Sequence, residues 1–493
     1  MIFILRIIEK LLIVYFVFYL LVDIILFLYA FIVFLSKPRG DARSVQSLVA
    51  EDELQKHRVT VIVPAYNEAV SVNHCAEMLL HLDYPAFEVI VVNDGSSDNT
   101  LEALLEHFSF RPVSFPSDPL PLNTAAVRHI YQAEDFPLTV IDKENGGKAD
   151  AINAGINFAG GRYVCTIDAD SMLDEQALKK VVQPFIMDPR TIVAGGQLAP
   201  SNDMVLRNNR VVSAKTPGNI WVLWQIIEYI KSFMVSRLSL SRVNALLIMS
   251  GAFSMFRHEE LLEAGGFLSR HNEHPYIVKT IGRGKQTVCE DMEIVVRLFK
   301  YRHEQKEKAK AVFLPGPVCW TEVPEKGNDL FKQRERWHRG LIESLLMHRE
   351  MIFEPKYKAT GLIGMPYYVF LEMLAPLVKL FAIAFVIVAA WIQMLNMKWV
   401  LLLVIGIMLL TAIISGGITA IVEYWSRDQS DTNRETLRYK NFKEWSILIL
   451  AAIAGEFSYS FFKFAAQLKG FRNVILKKTA WKKFERKGMK DLS

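Results

Sequence analysis

Cysteine is scarce in this chain, and the four present, Cys75, Cys165, Cys289 and Cys319, are scattered without metal-type spacing. That excludes a zinc ribbon or a disulfide framework and suits a reducing compartment with single buried thiols. Charge of one sign is missing too: 57 lysines and arginines against 52 acids leave a net +5, too diffuse for a nucleic-acid partner. No P-loop is present, because Gly147-Lys148 lacks both the earlier glycine at the required spacing and a following Ser or Thr. Long apolar runs are absent from the middle of the chain and crowd its two ends.

At the N-terminal end, residues 11 to 36 are apolar except for Asp23, too long for the core of a cleaved signal peptide and long enough for a membrane anchor. Lys37, Arg39 and Arg43 follow, which places the next domain in the cytoplasm. Apolar stretches return at 362–395, 399–424 and 446–467, the first cut by Pro366 and Pro376. An odd number of further spans would put the basic tail outside, so either 362–376 or 446–467 is expected to lie in the interface. That tail carries Lys477, Lys478, Lys482, Lys483, Arg486, Lys487 and Lys490 around Trp481 and Phe484, and reads as a segment on an anionic leaflet or as an acceptor or partner site. Glu372, Lys379, Glu423, Glu456 and Lys463 fall within or beside the apolar stretches, where they either line a polar channel or snorkel and pair. The resulting division is an anchor at 1–40, a cytosolic domain at 55–350, membrane and interfacial helices at 360–470, and a tail at 471–493.

Within the central domain, branched apolar runs at Val59–Val63 and Val89–Val92 each end in a polar loop, the first Pro64-Ala65-Tyr66-Asn67-Glu68, the second Asn93-Asp94-Gly95-Ser96-Ser97-Asp98. Strand, polar loop, helix, strand, polar loop is the pattern of a doubly wound parallel sheet, whose ligand lies beyond the carboxyl ends of the strands. Ala65, Tyr66, Glu68 and Asp94 would then face one nucleotide, with Asp94 at base or ribose. Lys148 opens a helix running to Phe158, well placed to meet a diphosphate. Tyr163–Ile167 is a further buried strand delivering Asp168-Ala169-Asp170 to the same edge. Alternation sends its two carboxylates to different sides, so Asp170 is free to bind Mg2+ or Mn2+ while Asp168 contacts ribose or a lysine.

Residues 219 to 247 alternate aromatic and charged positions and read as an amphipathic helical stretch against the membrane, or else as core. Cys289-Glu290-Asp291 opens another helix. Asp291 is the candidate base for inverting transfer, with Glu290 beside it; a helix-opening acid is the plainer reading of either. In Gln333-Arg334-Glu335-Arg336-Trp337-His338-Arg339-Gly340, the spacing puts Gln333, Arg336, Trp337 and Gly340 on one helical face. Arg336 suits a leaving diphosphate and Trp337 a sugar face.

This order of motifs resembles the processive, membrane-integrated family 2 glycosyltransferases, which include cellulose, chitin, hyaluronan and poly-N-acetylglucosamine synthases. The resemblance covers about 59 to 345 and the flanking membrane segments, and departs from the pattern at Cys289, where threonine is usual. It implies a Rossmann-like GT-A domain on an α-helical transmembrane bundle in the cell membrane, with uridine contact at Asp94, diphosphate and metal at Asp168 and Asp170, the base at Asp291, and Gln333, Arg336 and Trp337 near diphosphate and glycan. It further implies inverting, repeated transfer from a UDP-sugar to a growing β-glycan exported through the lipid bilayer, with UDP-glucose favoured and UDP-N-acetylglucosamine next. Accessory export or regulatory subunits are compatible with it, whereas activation through a cyclic-dinucleotide-binding barrel is not expected, the tail after Gly470 being short. Two other readings stand beside it: single transfer to a lipid or lipid-linked acceptor, and a silent nucleotide-sugar-binding subunit.

Overall fold

The computed structural model describes residues 2–36, 49–114, 120–207, 209–429, 439 and 441–477. Lys37, Arg39, Arg43 and the basic residues from Lys478 onward lie outside the described residues, as does the side chain of Glu423.

The central domain is built on a ten-stranded sheet of order β3-β4-β5-β2-β1-β6-β11-β8-β12-β7. Its strands are β1 (Val59–Ala65), β2 (Phe87–Asp94), β3 (Phe110–Pro112), β4 (Val127–Ala133), β5 (Leu138–Lys143), β6 (Tyr163–Ile167), β7 (Ser171–Leu173) and β8 (Thr191–Pro200); β9 (Met204–Arg207) and β10 (Arg210–Ala214) form a separate hairpin, and β11 (Phe253–Arg257) and β12 (Lys310–Thr321) complete the sheet. β5, β2, β1 and β6 run parallel, with Val61 level with Val89 on one side and Cys165 on the other. These strands are buried on both faces by helices such as 148–157, which is why they read as continuous branched apolar runs. Parallel register brings Ala65, Asp94, Lys143 and Ile167 out at one edge, where the loops meet.

Beyond β6 the expectation of a doubly wound parallel sheet fails. β11 is antiparallel to both β6 and β8, β12 is parallel to β8, and β7 is antiparallel to β12. The Asp168-Ala169-Asp170 segment is a turn between β6 and β7 rather than extended chain, so alternation does not set its side-chain directions.

On the apolar side, Phe3–Val33 and Met397–Ile421 are each long and apolar enough to cross a membrane. Two further helix pairs, Thr360–Met373 with Ala375–Trp391 and Phe442–Phe457 with Tyr459–Ile475, qualify together but bend by 43° and 47°. Both stretches from which one interfacial segment was expected are therefore broken. Pro376 stands in the first turn of its helix, where a missing N–H costs nothing. Tyr459–Ile475 lies along the Gly327–Met347 helix of the central domain: Asn473 Nδ2 donates to Glu335 at 2.8 Å and Phe471 meets the His338 ring edge-on.

The 219–247 stretch is one helical run of three textures, α at Ile220–Tyr229, π at Ile230–Arg237 and α at Leu238–Arg242. It is sandwiched. Leu223 and Ile227 pack with Leu448, Ala451 and Ala452 of the apolar helices, while Ser241 bonds the Ala311 carbonyl of β12 at 2.8 Å.

Candidate active site

At the sheet edge the loops after β1 and β2 are stitched together. Asn67, in the left-handed region at φ 54°, accepts the Ser97 amide at 2.8 Å and donates its own amide to Ser96 at 3.0 Å, and the Glu68 amide reaches Thr100 at 2.8 Å. Ala65 is buried beneath this lacing, Glu68 accepts the Ser71 hydroxyl at 2.9 Å, and Tyr66 stands exposed at the rim. Gly95 takes φ 65°, and a Cβ there would press on the Asn145 amide, so the turn after Asp94 favours glycine.

Asp94 itself is buried and crowded with donors. Oδ1 accepts Lys143 Nζ at 2.7 Å and the Gly146 amide at 3.0 Å, while Oδ2 accepts the Gly147 amide at 2.8 Å and Asn145 Nδ2 at 3.2 Å. Burial pushes its carboxyl up, against the pull of Lys143 and the two amides. Lys143 continues to Asp150 at 2.8 Å, and Asp150 takes Ala125, Ser269 and His271 as well. Asp94 was expected at the base or ribose. In the structure its carboxylate first anchors the Glu144–Lys148 loop, through a buried Asp94–Lys143–Asp150 chain that no motif announced.

Lys148 is the hinge between motifs. Its Nζ lies 2.6 Å from Asp168 Oδ1, 3.0 Å from Glu290 Oε1 and 3.2 Å from the Gly251 carbonyl. Burial pulls its pKa down, but Asp168 and Glu290 outweigh that and hold it above the usual range, so the amine is a fixed cation. The Gly251 amide donates to Asp291 Oδ2 at 2.9 Å, so one turn holds both Lys148 and Asp291. Asp291 is pushed up to about 6, first by burial and then by Glu290, with Lys148, Arg237 and the Gly251 amide pulling back. A carboxylate there is basic enough to take a hydroxyl proton and still largely ionised at neutral pH.

Asp170 is buried at the start of the β7 turn, with the Ser171 hydroxyl 3.5 Å away. Among the described residues no three His, Cys, Asp or Glu side chains gather to hold a metal by themselves. Asp168 and Asp170 supply hard oxygen donors of the kind a divalent ion shares with a diphosphate, so the donor set fits such an ion completed by substrate.

The Gly327–Met347 helix carries Gln333, Arg336 and Trp337 at positions that share a face by their three- and four-residue spacing, and it meets the start of the Glu290–Glu304 helix at Cys289. A Cβ at Gly340 would overlap Cys289 Sγ, and that thiol reaches the Trp337 carbonyl at 3.8 Å. Trp337 is fixed from two sides, by the Arg334 guanidinium 4.1 Å over its ring and by Tyr229 at 6.4 Å between centroids. Arg334 also bonds the neighbouring Gln333 side chain and Glu228 Oε2, from Nε at 2.9 Å and Nη2 at 2.5 Å. Glu228 collects Tyr459 at 2.7 Å and Lys463 at 3.3 Å. Burial would raise its pKa, but Arg334 and Lys463 outweigh that and hold it down to about 2. The pairing of Glu228 with Arg334 was not foreseen in the sequence because the partners lie 106 residues apart; the only hint was a third positive residue inside the motif.

The profile of glycosyl transferase family 2 matches residues 60–260, and that of glycosyl transferase family group 2 matches residues 163–415. Among curated proteins, the poly-beta-1,6-N-acetyl-D-glucosamine synthase of Staphylococcus epidermidis is 27% identical over 299 residues, covering 61% of this chain and 58% of that protein. The synthase of the same name from Staphylococcus aureus strain COL is 28% identical over 295 residues, covering 60% and 57%. The chain thus spans just under three fifths of the length of these relatives. Among solved structures, the mannosyltransferase PcManGT from Pyrobaculum calidifontis, in complex with GDP-Man and Mn2+, matches 91% of this chain and 99% of its own with TM-score 0.53 and 20% identity, a likeness of fold. With its GT-A sheet and a profile match over more than half its length, the chain is a member of glycosyl transferase family group 2.

Proposed function

We propose that this protein polymerises a β-linked glycan from a UDP-sugar, one hexosyl unit per cycle, and passes the product across a membrane. The observation that supports this most is Lys148, which joins Asp168 on the donor side to Glu290, next to Asp291, on the acceptor side. Binding of donor phosphates and deprotonation of acceptor are thereby coupled through one cation.

In this reading the nucleotide lies over the stitched loops of Ala65, Tyr66, Glu68 and Asp94, and Asp168 with Asp170 would hold Mg2+ or Mn2+ together with the diphosphate. Such an ion, when bound, neutralises charge on the departing diphosphate. Asp291 accepts the proton of the acceptor hydroxyl as its oxygen forms the bond to the anomeric carbon. The bond from that carbon to the diphosphate breaks, UDP leaves toward Lys148 and Arg336, and attack from the opposite face inverts the centre to a β-linkage. Trp337 holds the acceptor sugar, with Gln333 beside it. Residues 55–350 form the cytosolic domain, and the bundle from Thr360 onward with the N-terminal helix forms the passage through the cell membrane. The names of the curated relatives favour N-acetylglucosamine over glucose as the unit transferred, reversing the order taken from general resemblance.

Membrane vesicles holding the full chain, offered labelled UDP-sugars with Mg2+ or Mn2+, test this directly. A high-molecular-weight product from UDP-N-acetylglucosamine is expected. Label confined to an organic-soluble lipid would replace polymerisation with single transfer.

A further inference from the structure

Two arginines end one continuous stack along the seam between the central domain and the apolar helices. From Arg334 over Trp337 the ring contacts pass to a tilted Tyr229, then edge-on to Phe233 at 5.0 Å, and on to the guanidinium of Arg237, 4.2 Å over the Phe233 ring. Tyr229, Phe233 and Arg237 are four apart, and the π-helical turns of Ile230–Arg237 keep them in line. Phe233 is backed by Phe313 of β12, so the ladder is braced against the sheet.

The two ends are finished differently. Arg334 is met by Glu228, which also gathers Tyr459 and Lys463. Arg237 meets no carboxylate within ion-pair distance among the described residues, and its Nη1 is shielded from solvent without a hydrogen bond. The charged groups that face it are Asp291 from the Glu290–Glu304 helix and Glu372 from the Tyr367–Met373 turn, with Tyr368 and Tyr229 as hydroxyl neighbours. Burial lowers its pKa, as expected for a cation with too few partners. A buried guanidinium nitrogen left unbonded is destabilising, and such a group in a native protein calls for a reason, of which a catalytic or ligand-binding role is one.

We propose that Arg237 is an acceptor-binding residue: its unbonded donor, on a side chain that is only partly buried, takes a neutral oxygen of the glycan, a ring hydroxyl or an acyl carbonyl, on the sugar that lies between Trp337 and the apolar helices. Trp337, the partly exposed ring of the ladder, supplies an aromatic surface for the sugar, and Arg237 supplies the directional bond that sets the terminal hydroxyl over Asp291. This rests on the polymerising reading above and adds a site outside the motifs that support it.

The test uses the full chain in vesicles, with UDP-N-acetylglucosamine as donor and short β-linked N-acetylglucosamine oligosaccharides as acceptor. Arg237→Met and Arg237→Lys are compared with wild type for acceptor KM, donor KM and thermal midpoint. Arg237→Met should raise acceptor KM about tenfold or more, the loss expected for one charged hydrogen bond, with donor KM within about twofold. Its thermal midpoint should hold or rise, because the unbonded charge is gone, and Arg237→Lys should recover part of the acceptor affinity. A lowered midpoint with unchanged acceptor KM would make Arg237 structural, and a raised donor KM would assign it to the diphosphate; either overturns the proposal. If wild type transfers nothing to any acceptor, the polymerising reading fails instead.

Discussion

The sheet edge around Asp94 and the seam around Arg237 treat buried charge in opposite ways. At the edge Asp94, Asp150 and Asp168 are answered from within the chain, Asp94 by Lys143 and two amides, Asp150 by Lys143, Asp168 by Lys148. At the seam Asp291 is pushed up to about 6 and Arg237 keeps a shielded, unbonded nitrogen. The edge is therefore preorganised before any ligand arrives, which suits a charged donor that must be gripped in one pose. At Arg237 the seam is left unsatisfied on its own, which under the proposed function suits a neutral glycan acceptor.

Breaking the edge should have the largest effect. Lys143→Met leaves Asp94 and Asp150 buried without their cation, and we expect a loss of about 3–5 kcal/mol in a denaturant titration. A change below about 1 kcal/mol would mean that the amides alone hold the loop. Next is the contact between the two acceptor-side helices. Gly340→Ala drives a methyl into Cys289, so a thermal midpoint lowered by the equivalent of about 2 kcal/mol is expected, together with reduced polymer yield. Glu228→Gln keeps the shape but removes the charge that fixes Arg334 beneath Trp337. We expect about 1.5 kcal/mol in stability and shorter product on a sizing column.

The smallest change is a proton. As the proposed base, Asp291 must be ionised to accept the hydroxyl proton, and its pKa is raised, so activity should be lost as pH falls through about 6 and be flat above it. Initial rates between pH 5 and 8 should fall about tenfold per unit on the acid side, and an acid limb centred near 4 would remove Asp291 from that role.

The edge was far more legible in the sequence than the seam, for a physical reason. Parallel strands buried on both faces leave branched apolar runs, and the loops that follow them are short and local, so Asp94, Lys148 and Asp168 could be placed by position alone. The antiparallel half was missed because β8 holds Gly195-Gly196 and β12 holds Pro315-Gly316-Pro317, neither of which looks like a strand interior. Lys143 offered a faint signal, a cation at the end of an apolar strand. Asp150, Glu228 and Arg237 offered none and Arg334 only an extra positive charge inside its motif, since their meaning lies in partners on other elements or, for Arg237, in the want of one. The residue pattern also suggested an extended Asp168–Asp170 segment where the chain turns, because a single strand period was carried one step past the strand's end.

Binding and transfer measured side by side on Asp291→Asn would test the division between edge and seam most directly. Titration of the full chain with UDP-N-acetylglucosamine and Mn2+ should give an affinity within about twofold of wild type, while polymer synthesis falls about a thousandfold, as removal of a general base implies. Loss of donor affinity in step with synthesis would contradict it, and Asp291 would then belong to the donor side with Asp168 and Lys148.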